Sequence, residues 1–355
     1  MNPLYIFLPL FSIILALILS SPLTVLAQKI DLLDKPNYRK LHFGRVPLIG
    51  GIMIYSAFVL SIAIFFSFNK FNQDYLCVFL GGTFLLITGI IDDKFNINPV
   101  AKLVIQSIIA IKLCTCGFRV EYFFGLLGIG YIPTFIQYVL TLIVFLGVIN
   151  AFNLIDGVDG LAGGISLICS VVFSIIALIC GDIFVLLINL SLAGSILGFL
   201  RFNLSPNKKI FLGDSGSLLL GYLMVTSAIL LLRQTDLFAH KNLFFSAIFS
   251  VLFIPVIDSI RVYINRIRKG KNPMKPDRTH LHHIVQVSVN NPRQTCKIII
   301  GFTSVLIAMS FILTKIFGVT MMVLGVTLLF YIFSFLFMTN VKRKRWSRIL
   351  DEINS

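Results

Sequence analysis

The chain has 355 residues, 57% of them hydrophobic and 13% charged, and a formal net charge of +15. A soluble domain carries about 25% charged residues, so this composition excludes a soluble globular protein. It indicates an all-α polytopic integral membrane protein, with residues 1–355 forming one domain. Nucleic-acid binding is excluded too, because the sequence shows no basic soluble segment interleaved with aromatic residues. The six cysteines lie mostly in apolar runs and show no metal-ligand spacing beyond Cys114-x-Cys116, which favours small buried side chains.

Apolar segments long enough to cross a bilayer recur along the chain. A transmembrane helix needs about 20 apolar residues. We predict eleven of them, at 3–27, 48–68, 75–91, 99–116, 133–153, 160–180, 183–202, 215–233, 242–260, 298–316 and 319–339. The first ends in a sequence that resembles a signal-peptide cleavage site but lacks a basic segment before it, so we expect a retained helix with the N-terminus outside. An odd number of spans then places the C-terminus in the cytosol.

The basic residues support this topology. By these spans, 24 of the 30 Lys and Arg residues fall on one side of the membrane, which the positive-inside rule identifies as the cytosol. The net positive charge is therefore mainly a topology signal. Five polar loops on that side are expected to carry the functional residues: 28–47, 92–98, 154–160, 203–214 and 261–297.

Carboxylates cluster at the same cytosolic ends of the spans. They are Asp92 with Asp93, Asp156 with Asp159, Asp214, and Asp258. Charged groups beside hydrocarbon-length spans are costly and mark functional sites. The adjacent pair cannot ionise fully in a low-dielectric site unless a cation lies close by, although a solvated helix terminus is the alternative. Mg²⁺ would suit such acids, because it takes oxygen ligands and binds substrate phosphates.

Two segments around the acids have the composition of binding loops. Residues 150–164 contain two Asn, two Asp and four Gly between two hydrophobic helices, which allows a tight turn and leaves a helix N-terminus available to an anion. Residues 211–217 place Asp214 and Ser215 where a helix N-cap is expected. A carboxylate beside the positive end of a helix stays ionised, as a metal ligand requires. Phe211 is either an interfacial packing residue or a stacking platform for a planar base.

Two basic loops complete the pattern. Lys35, Arg39 and Lys40 either hold the topology or clamp an anionic head group at the membrane surface. Residues 275–283 include three histidines in four positions. Zinc is disfavoured there because no cysteine is near and Lys and Arg flank the cluster. Imidazoles that donate hydrogen bonds to a pyrophosphate and to sugar hydroxyls suit the charges better.

Together, residues 34–283 resemble the polyprenyl-phosphate N-acetylhexosamine-1-phosphate transferases of glycosyltransferase family 4. The matching motifs, in the family's order, are Arg39-Lys40-x-His42 with Gly50-Gly51, Asp92-Asp93, Asn150 to Gly164, Phe211 to Ser217, and Asp277 to His283. The first of these points to the undecaprenyl-phosphate N-acetylglucosaminyl branch. The resemblance implies transfer of N-acetylglucosamine 1-phosphate from a UDP-sugar to undecaprenyl phosphate, with release of UMP, at the start of cell-envelope glycan synthesis. It also implies a multi-pass protein of the bacterial cytoplasmic membrane.

The resemblance further implies a role for each matching residue. The catalytic residues would be Asp92, Asp93 and Asp156, and the ligands of Mg²⁺, or of Mn²⁺, would be Asn153 and Asp214. The nucleotide would contact Asn153, Asp159 and Phe211; the sugar and its phosphate would contact Arg278, His280, His282 and His283; and the lipid phosphate would contact Lys35, Arg39 and Lys40. Because a phosphate monoester has a second pKa of about 6, we expect the aspartate pair to orient the lipid phosphate rather than deprotonate it. A double displacement through an aspartyl-phosphate stays open.

Two other functions are less consistent with these residues. A phospho-N-acetylmuramoyl-pentapeptide transferase is disfavoured because Leu281 interrupts the histidine cluster, which is an uninterrupted triplet in those relatives. An ion-coupled transporter would place its acids near the membrane midplane between broken helices, whereas these acids lie at helix ends. Exchange of labelled UMP into the UDP-sugar distinguishes a transferase from a transporter.

Overall fold

The computed structural model describes residues 5, 7–34, 44–65, 73–235, 238–272 and 279–354, with the backbone alone at 65, 73–75 and 344–354. The described residues form eleven α-helices, one short 3₁₀ helix at Leu126–Gly128 and one two-residue antiparallel ladder. The helices are α1 (Leu8–Lys29), α2 (Gly50–Phe65), α3 (Gln73–Phe95), α4 (Pro99–Thr115), α5 (Thr134–Ile155), α6 (Leu161–Cys180), α7 (Ile183–Asn203), α8 (Gly213–Thr235), α9 (Lys241–Arg268), α10 (Leu281–Val289) and α11 (Pro292–Asn354). The ladder pairs β1 (Leu33–Asp34) with β2 (Val46–Pro47).

This architecture confirms the predicted class of all-α membrane protein. Eight of the described helices are long and apolar enough to cross a membrane, and α2 is a shorter apolar helix. Each predicted span overlaps a helix. The number of crossings and the orientation stay predictions.

The last helix, α11, folds back on itself at Gly318. This glycine has φ 82° and ψ 178°, which is not helical. Phe302 and Phe333 stack with ring centroids 3.9 Å apart, although residues 31 positions apart in a straight helix would lie about 46 Å apart. The segment is therefore a hairpin of two helices, which corresponds to the last two predicted spans.

The described residues of the predicted loop 261–297 are largely helical, which corrects the expected end of the ninth span. α9 continues to Arg268, so Asp258 lies within the helix rather than at its end, and the loop also contains α10 and the first turns of α11. Hydropathy predicts only the length of the apolar segment. A helix can continue beyond that segment where its polar side chains form ion pairs or hydrogen bonds. Here Arg261 is 93% buried and pairs with Asp258 at 2.6 Å.

Hydrogen bonds show which helix ends lie together. They join the end of α3 to the start of α4, the end of α5 to the start of α8, and the end of α7 to the start of α6. At the other end of the bundle, the Leu127 N–H donates to Thr320 Oγ1 at 2.9 Å, close to the turn at Gly318. We call the first end the polar face; it carries residues 92–98, 153–160, 203–214 and 279–293. The end that carries residues 116–133 and Gly318 is the opposite face.

Helix α8 runs through the centre of the bundle and is buried along nearly its whole length. Its first turn is held by glycines of two neighbouring helices. A Cβ on Gly51 of α2 would collide with the backbone of Gly216, and one on Gly89 of α3 would collide with the backbone of Ser215. Small residues allow membrane helices to approach this closely. The Gly50-Gly51 motif therefore positions the start of α8.

Candidate active site

The N-terminus of α8 is capped by a carboxylate from another helix. Asp93 of α3 accepts hydrogen bonds from the backbone N–H of Asp214 at 2.7 Å and of Ser215 at 3.1 Å. Gly213 permits this approach, because it has φ +73° and a Cβ there would lie 2.6 Å from Asp93 Oδ2. The prediction that Asp214 or Ser215 caps the helix is therefore wrong. Because Asp93 takes that role, the Asp214 side chain is directed into the site.

Lys102 joins two of the predicted aspartates. Its Nζ lies 2.5 Å from Asp92 Oδ2 and 3.2 Å from Asp214 Oδ2, and Asp92 also accepts the N–H of Ile97 at 2.7 Å. Asp92 is 5% exposed, so this pairing offsets the cost of burying its charge. Lys102 was not among the predicted site residues. The sequence feature that could have identified it is a lysine one turn into an apolar span, at the end of the span where the acids lie.

Asn153 and Asp214 lie together, as predicted for the metal ligands. Asn153 Nδ2 donates to Asp214 Oδ1 and to Ser217 Oγ, both at 2.9 Å. Among the described residues, no group of three or more His, Cys, Asp or Glu side chains could hold a metal ion. Mg²⁺ needs fewer protein ligands, because waters and substrate phosphates complete its shell. A rotation of the Asn153 amide would direct its oxygen toward the Asp214 carboxylate, so the pair fits Mg²⁺.

Asp156 follows the end of α5 and faces other acids. Its side chain is only partly exposed. Burial raises the pKa of this carboxyl well above its usual range, and the nearby charges of Asp214, Asp93 and Asp159 raise it further. Without a bound cation, Asp156 therefore holds its proton near neutral pH more readily than an ordinary aspartate.

Asp159 and Phe211, both predicted to bind the nucleotide, contact the same lysine. Lys209 Nζ lies 2.6 Å from Asp159 Oδ2 and 5.2 Å from the centroid of the Phe211 ring. Asn203 fixes this corner, because its Oδ1 accepts the Gly160 N–H at 2.6 Å while its Nδ2 donates to the Ile210 carbonyl. An open cavity of about 450 Å³ adjoins the corner. Its lining includes Asp159, Asn203, Ser205, Lys209, Asn291 and Arg293.

The histidine cluster is oriented by Asp258. This carboxylate lies 3.0 Å from His280 Nδ1, accepts the Leu281 N–H at 3.0 and 3.1 Å, and pairs with Arg261. Asp258 thus caps α10 and fixes the first imidazole. Asp258 was among the predicted cytosolic acids, but no role was predicted for it. No local pattern links it to a histidine 22 positions later.

The histidines lie against the turn at residues 157–160. His282 Nε2 is 2.5 Å from where a Cβ on Gly157 would be, and its ring centroid is 4.2 Å from that of His283. Burial lowers the pKa of His282 to about 3, and the neighbouring His283 and His280 add to the effect against the opposing charge of Asp258. His282 is therefore neutral. Within the described residues, the buried atoms His280 Nε2 and His282 Nδ1 have no hydrogen-bond partner, so the hydrogen-bonding capacity of both atoms is unused.

The remaining predicted site residues fall outside the described residues. These are Lys35, Arg39, Lys40 and Arg278. Their assignment to the lipid phosphate and to the sugar phosphate stays a prediction.

Comparison with known proteins agrees with the motifs. The sequence model of glycosyl transferase family 4 matches residues 75–232. A Bacillus subtilis protein named "Probable undecaprenyl-phosphate N-acetylglucosaminyl 1-phosphate transferase" is 32% identical over 274 residues, which cover 77% of this chain and 74% of the relative. The undecaprenyl-phosphate alpha-N-acetylglucosaminyl 1-phosphate transferase of Escherichia coli K12 is 31% identical, over 76% of this chain and 72% of the relative. The protein of the same name from Yersinia pestis is 32% identical, over 80% and 77%. Similarity of this extent shows that the chain belongs to glycosyl transferase family 4.

Proposed function

We propose that the protein transfers N-acetylglucosamine 1-phosphate from UDP-N-acetylglucosamine to undecaprenyl phosphate and releases UMP. The reaction takes place at the cytosolic side of the bacterial cytoplasmic membrane, toward which the polar face is oriented. The observation that carries the proposal is the assembly of Asn153, Asp214, Asp92 and Lys102 at one end of a bundle of apolar helices. Such a site meets a lipid head group and a water-soluble nucleotide at the same surface. The names of the relatives supply the two substrates.

The charge of the site supports a requirement for a divalent cation. Among the described residues, five aspartates lie here, at 92, 93, 156, 159 and 214, and two of the lysines, Lys102 and Lys209, pair with them. A diphosphate would be repelled by this surplus of carboxylates. Mg²⁺ held by Asn153 and Asp214 would neutralise the diphosphate of the donor and the phosphate of the acceptor.

The reaction needs positioning more than proton transfer. An oxygen of the lipid phosphate bonds to the β-phosphorus of the UDP-sugar, and the bond from that phosphorus to the bridging oxygen breaks, so that oxygen leaves with UMP. Both oxygens of Asp93 already accept backbone N–H groups, and those of Asp92 accept Ile97 N–H and Lys102. These bonds favour an orienting role for the pair over that of a base or a nucleophile. The acceptor itself is largely dianionic at pH 7.

The rest of the polar face would hold the donor. The buried atoms His280 Nε2 and His282 Nδ1 would bind the sugar phosphate. Asp159 and Phe211 would contact the nucleoside at the edge of the cavity of about 450 Å³, a volume within the range of small-molecule sites.

The test is exchange of labelled UMP into UDP-N-acetylglucosamine by the purified protein with undecaprenyl phosphate. We expect exchange that requires both the lipid phosphate and Mg²⁺. Product from the UDP-N-acetylmuramoyl-pentapeptide donor alone would favour the peptidoglycan transferase. Solute flux across vesicles without exchange would favour a transporter.

A further inference from the structure

Two cysteines from neighbouring helices meet at the opposite face. Cys77 lies in the second turn of α3, and Cys116 is the C-cap residue of α4. Their Sγ atoms are 2.7 Å apart. The length of an S–S bond is about 2.05 Å, so the two sulfurs are close enough to bond after a small side-chain adjustment. We propose that Cys77 and Cys116 form a disulfide in the cell.

The backbone at Cys116 is fixed without any help from sulfur. The Cys116 N–H donates to the Leu113 carbonyl at 2.9 Å, and the Phe118 N–H donates to the same carbonyl at 3.1 Å. Gly117 between them has φ +89°. This is the geometry of a helix C-cap that closes on a glycine, so the direction in which Cys116 leaves α4 is set by the chain itself.

The turn of α3 that carries Cys77 is held by the central helix. The Tyr222 hydroxyl of α8 donates to the Val78 carbonyl at 3.0 Å, and Gly81 allows that hydroxyl to approach, since a Cβ there would collide with it. Tyr222 is fully buried. Hydrogen bonds therefore hold the backbone at both cysteines in the positions that bring the two sulfurs together, and the S–S bond needs little change in the backbone.

The location suits an oxidised pair. With the polar face in the cytosol, the opposite face is outside it, and disulfides persist in such oxidising compartments. The oxidant would be a protein disulfide of the thiol–disulfide exchange class. One thiolate of the pair attacks a sulfur of that disulfide, and the second then displaces the oxidant from the mixed disulfide. The oxidant leaves as a dithiol with two electrons and two protons, and the S–S bond remains on this chain.

The bond would secure a hairpin that carries site residues. α3 and α4 are already joined at the polar face by the ion pair of Asp92 with Lys102. A bond between Cys77 and Cys116 joins the same helices at the opposite face and closes a loop between positions 39 apart.

Counting thiols tests the proposal. Full-length protein is denatured from acid-quenched membranes and labelled with a maleimide mass tag, before and after reduction. Of the six cysteines, we expect four tags before reduction and six after it. Cys77→Ser and Cys116→Ser should each take five tags under both conditions, because the remaining partner is released.

Cys180→Ser is the matched control, since it removes a cysteine at the end of α6, on the same face. It should take three tags before reduction and five after it. Six tags on the unreduced wild-type chain would overturn the proposal. Two protected thiols that persist in Cys77→Ser or in Cys116→Ser would overturn it as well, because the bond would then lie elsewhere.

Discussion

We expect the bridge from Lys102 to Asp92 and Asp214 to contribute measurably to the free energy of unfolding. Lys102→Met keeps the aliphatic stem but removes the ammonium group, which leaves Asp92, 5% exposed, without its ionic partner. Removal of one member of a buried ion pair costs about 3–5 kcal/mol. At about 2 °C per kcal/mol for a chain of this size, we expect the unfolding midpoint to fall by about 6–10 °C.

A second substitution should reverse part of this loss. In Lys102→Met with Asp92→Asn, no charge is left buried without a partner at position 92. Asp214 keeps its hydrogen bond to Asn153 and is 35% exposed, so it tolerates the loss of the lysine. We therefore expect the unfolding midpoint of the double variant to regain at least half of the decrease caused by Lys102→Met alone.

The assay is thermal unfolding of the full-length protein in one detergent, without Mg²⁺, for wild type, both single variants and the double variant. Lys112→Met is the matched control, because Lys112 lies on the same helix but is exposed; its midpoint should change by less than about 1 °C. Equal midpoints for Lys102→Met and Lys112→Met would refute the reasoning. So would a double variant that is no more stable than Lys102→Met.

Four further predictions concern the candidate site and its orientation in the membrane. Asp214→Asn should lower transfer activity roughly 10²-fold or more at saturating Mg²⁺ with the protein still folded, as measured by UMP release; near-normal turnover would remove this residue from the site. Asp258→Asn should lower activity roughly 10-fold or more while UDP-sugar binding weakens less, since the carboxylate orients the His280 imidazole in addition to capping α10 and pairing with Arg261. His282 has a pKa of about 3 in the folded protein against an ordinary 6.5, so between these pH values the unfolded state binds up to one more proton than the folded state. The free energy of unfolding should therefore fall as the pH drops from 6.5 toward 3. His282→Asn should reduce this pH dependence when unfolding is measured across the same range. Cysteines introduced at Lys208 and Lys271 should react with impermeant reagents only from the cytosolic side, and labelling from outside intact cells would contradict the orientation.

Hydropathy and motif spacing were sufficient to predict much of this protein. Long apolar segments must be helical in a bilayer, because every backbone polar group needs a partner within the segment. That requirement is local, so all eleven predicted spans overlap helices, and Gly318 separates the last two. The helix boundaries were predicted less accurately. Helix α9 continues past its apolar residues, where Arg261 forms a buried ion pair with Asp258.

The tertiary structure decided which polar groups meet and in what role. Asp93 is separated by 121 positions from the backbone N–H of Asp214 that it caps, and Lys102 by 112 positions from the Asp214 carboxylate. Such pairs depend on how closely α3, α4 and α8 approach, and that depends on glycines at their crossings. The sequence shows that a carboxylate beside an apolar span has a high desolvation cost, but it does not show which partner offsets that cost. The packing of helices distant in sequence supplies that partner, and so it separates the aspartate that caps a helix from the one whose side chain is directed into the candidate site.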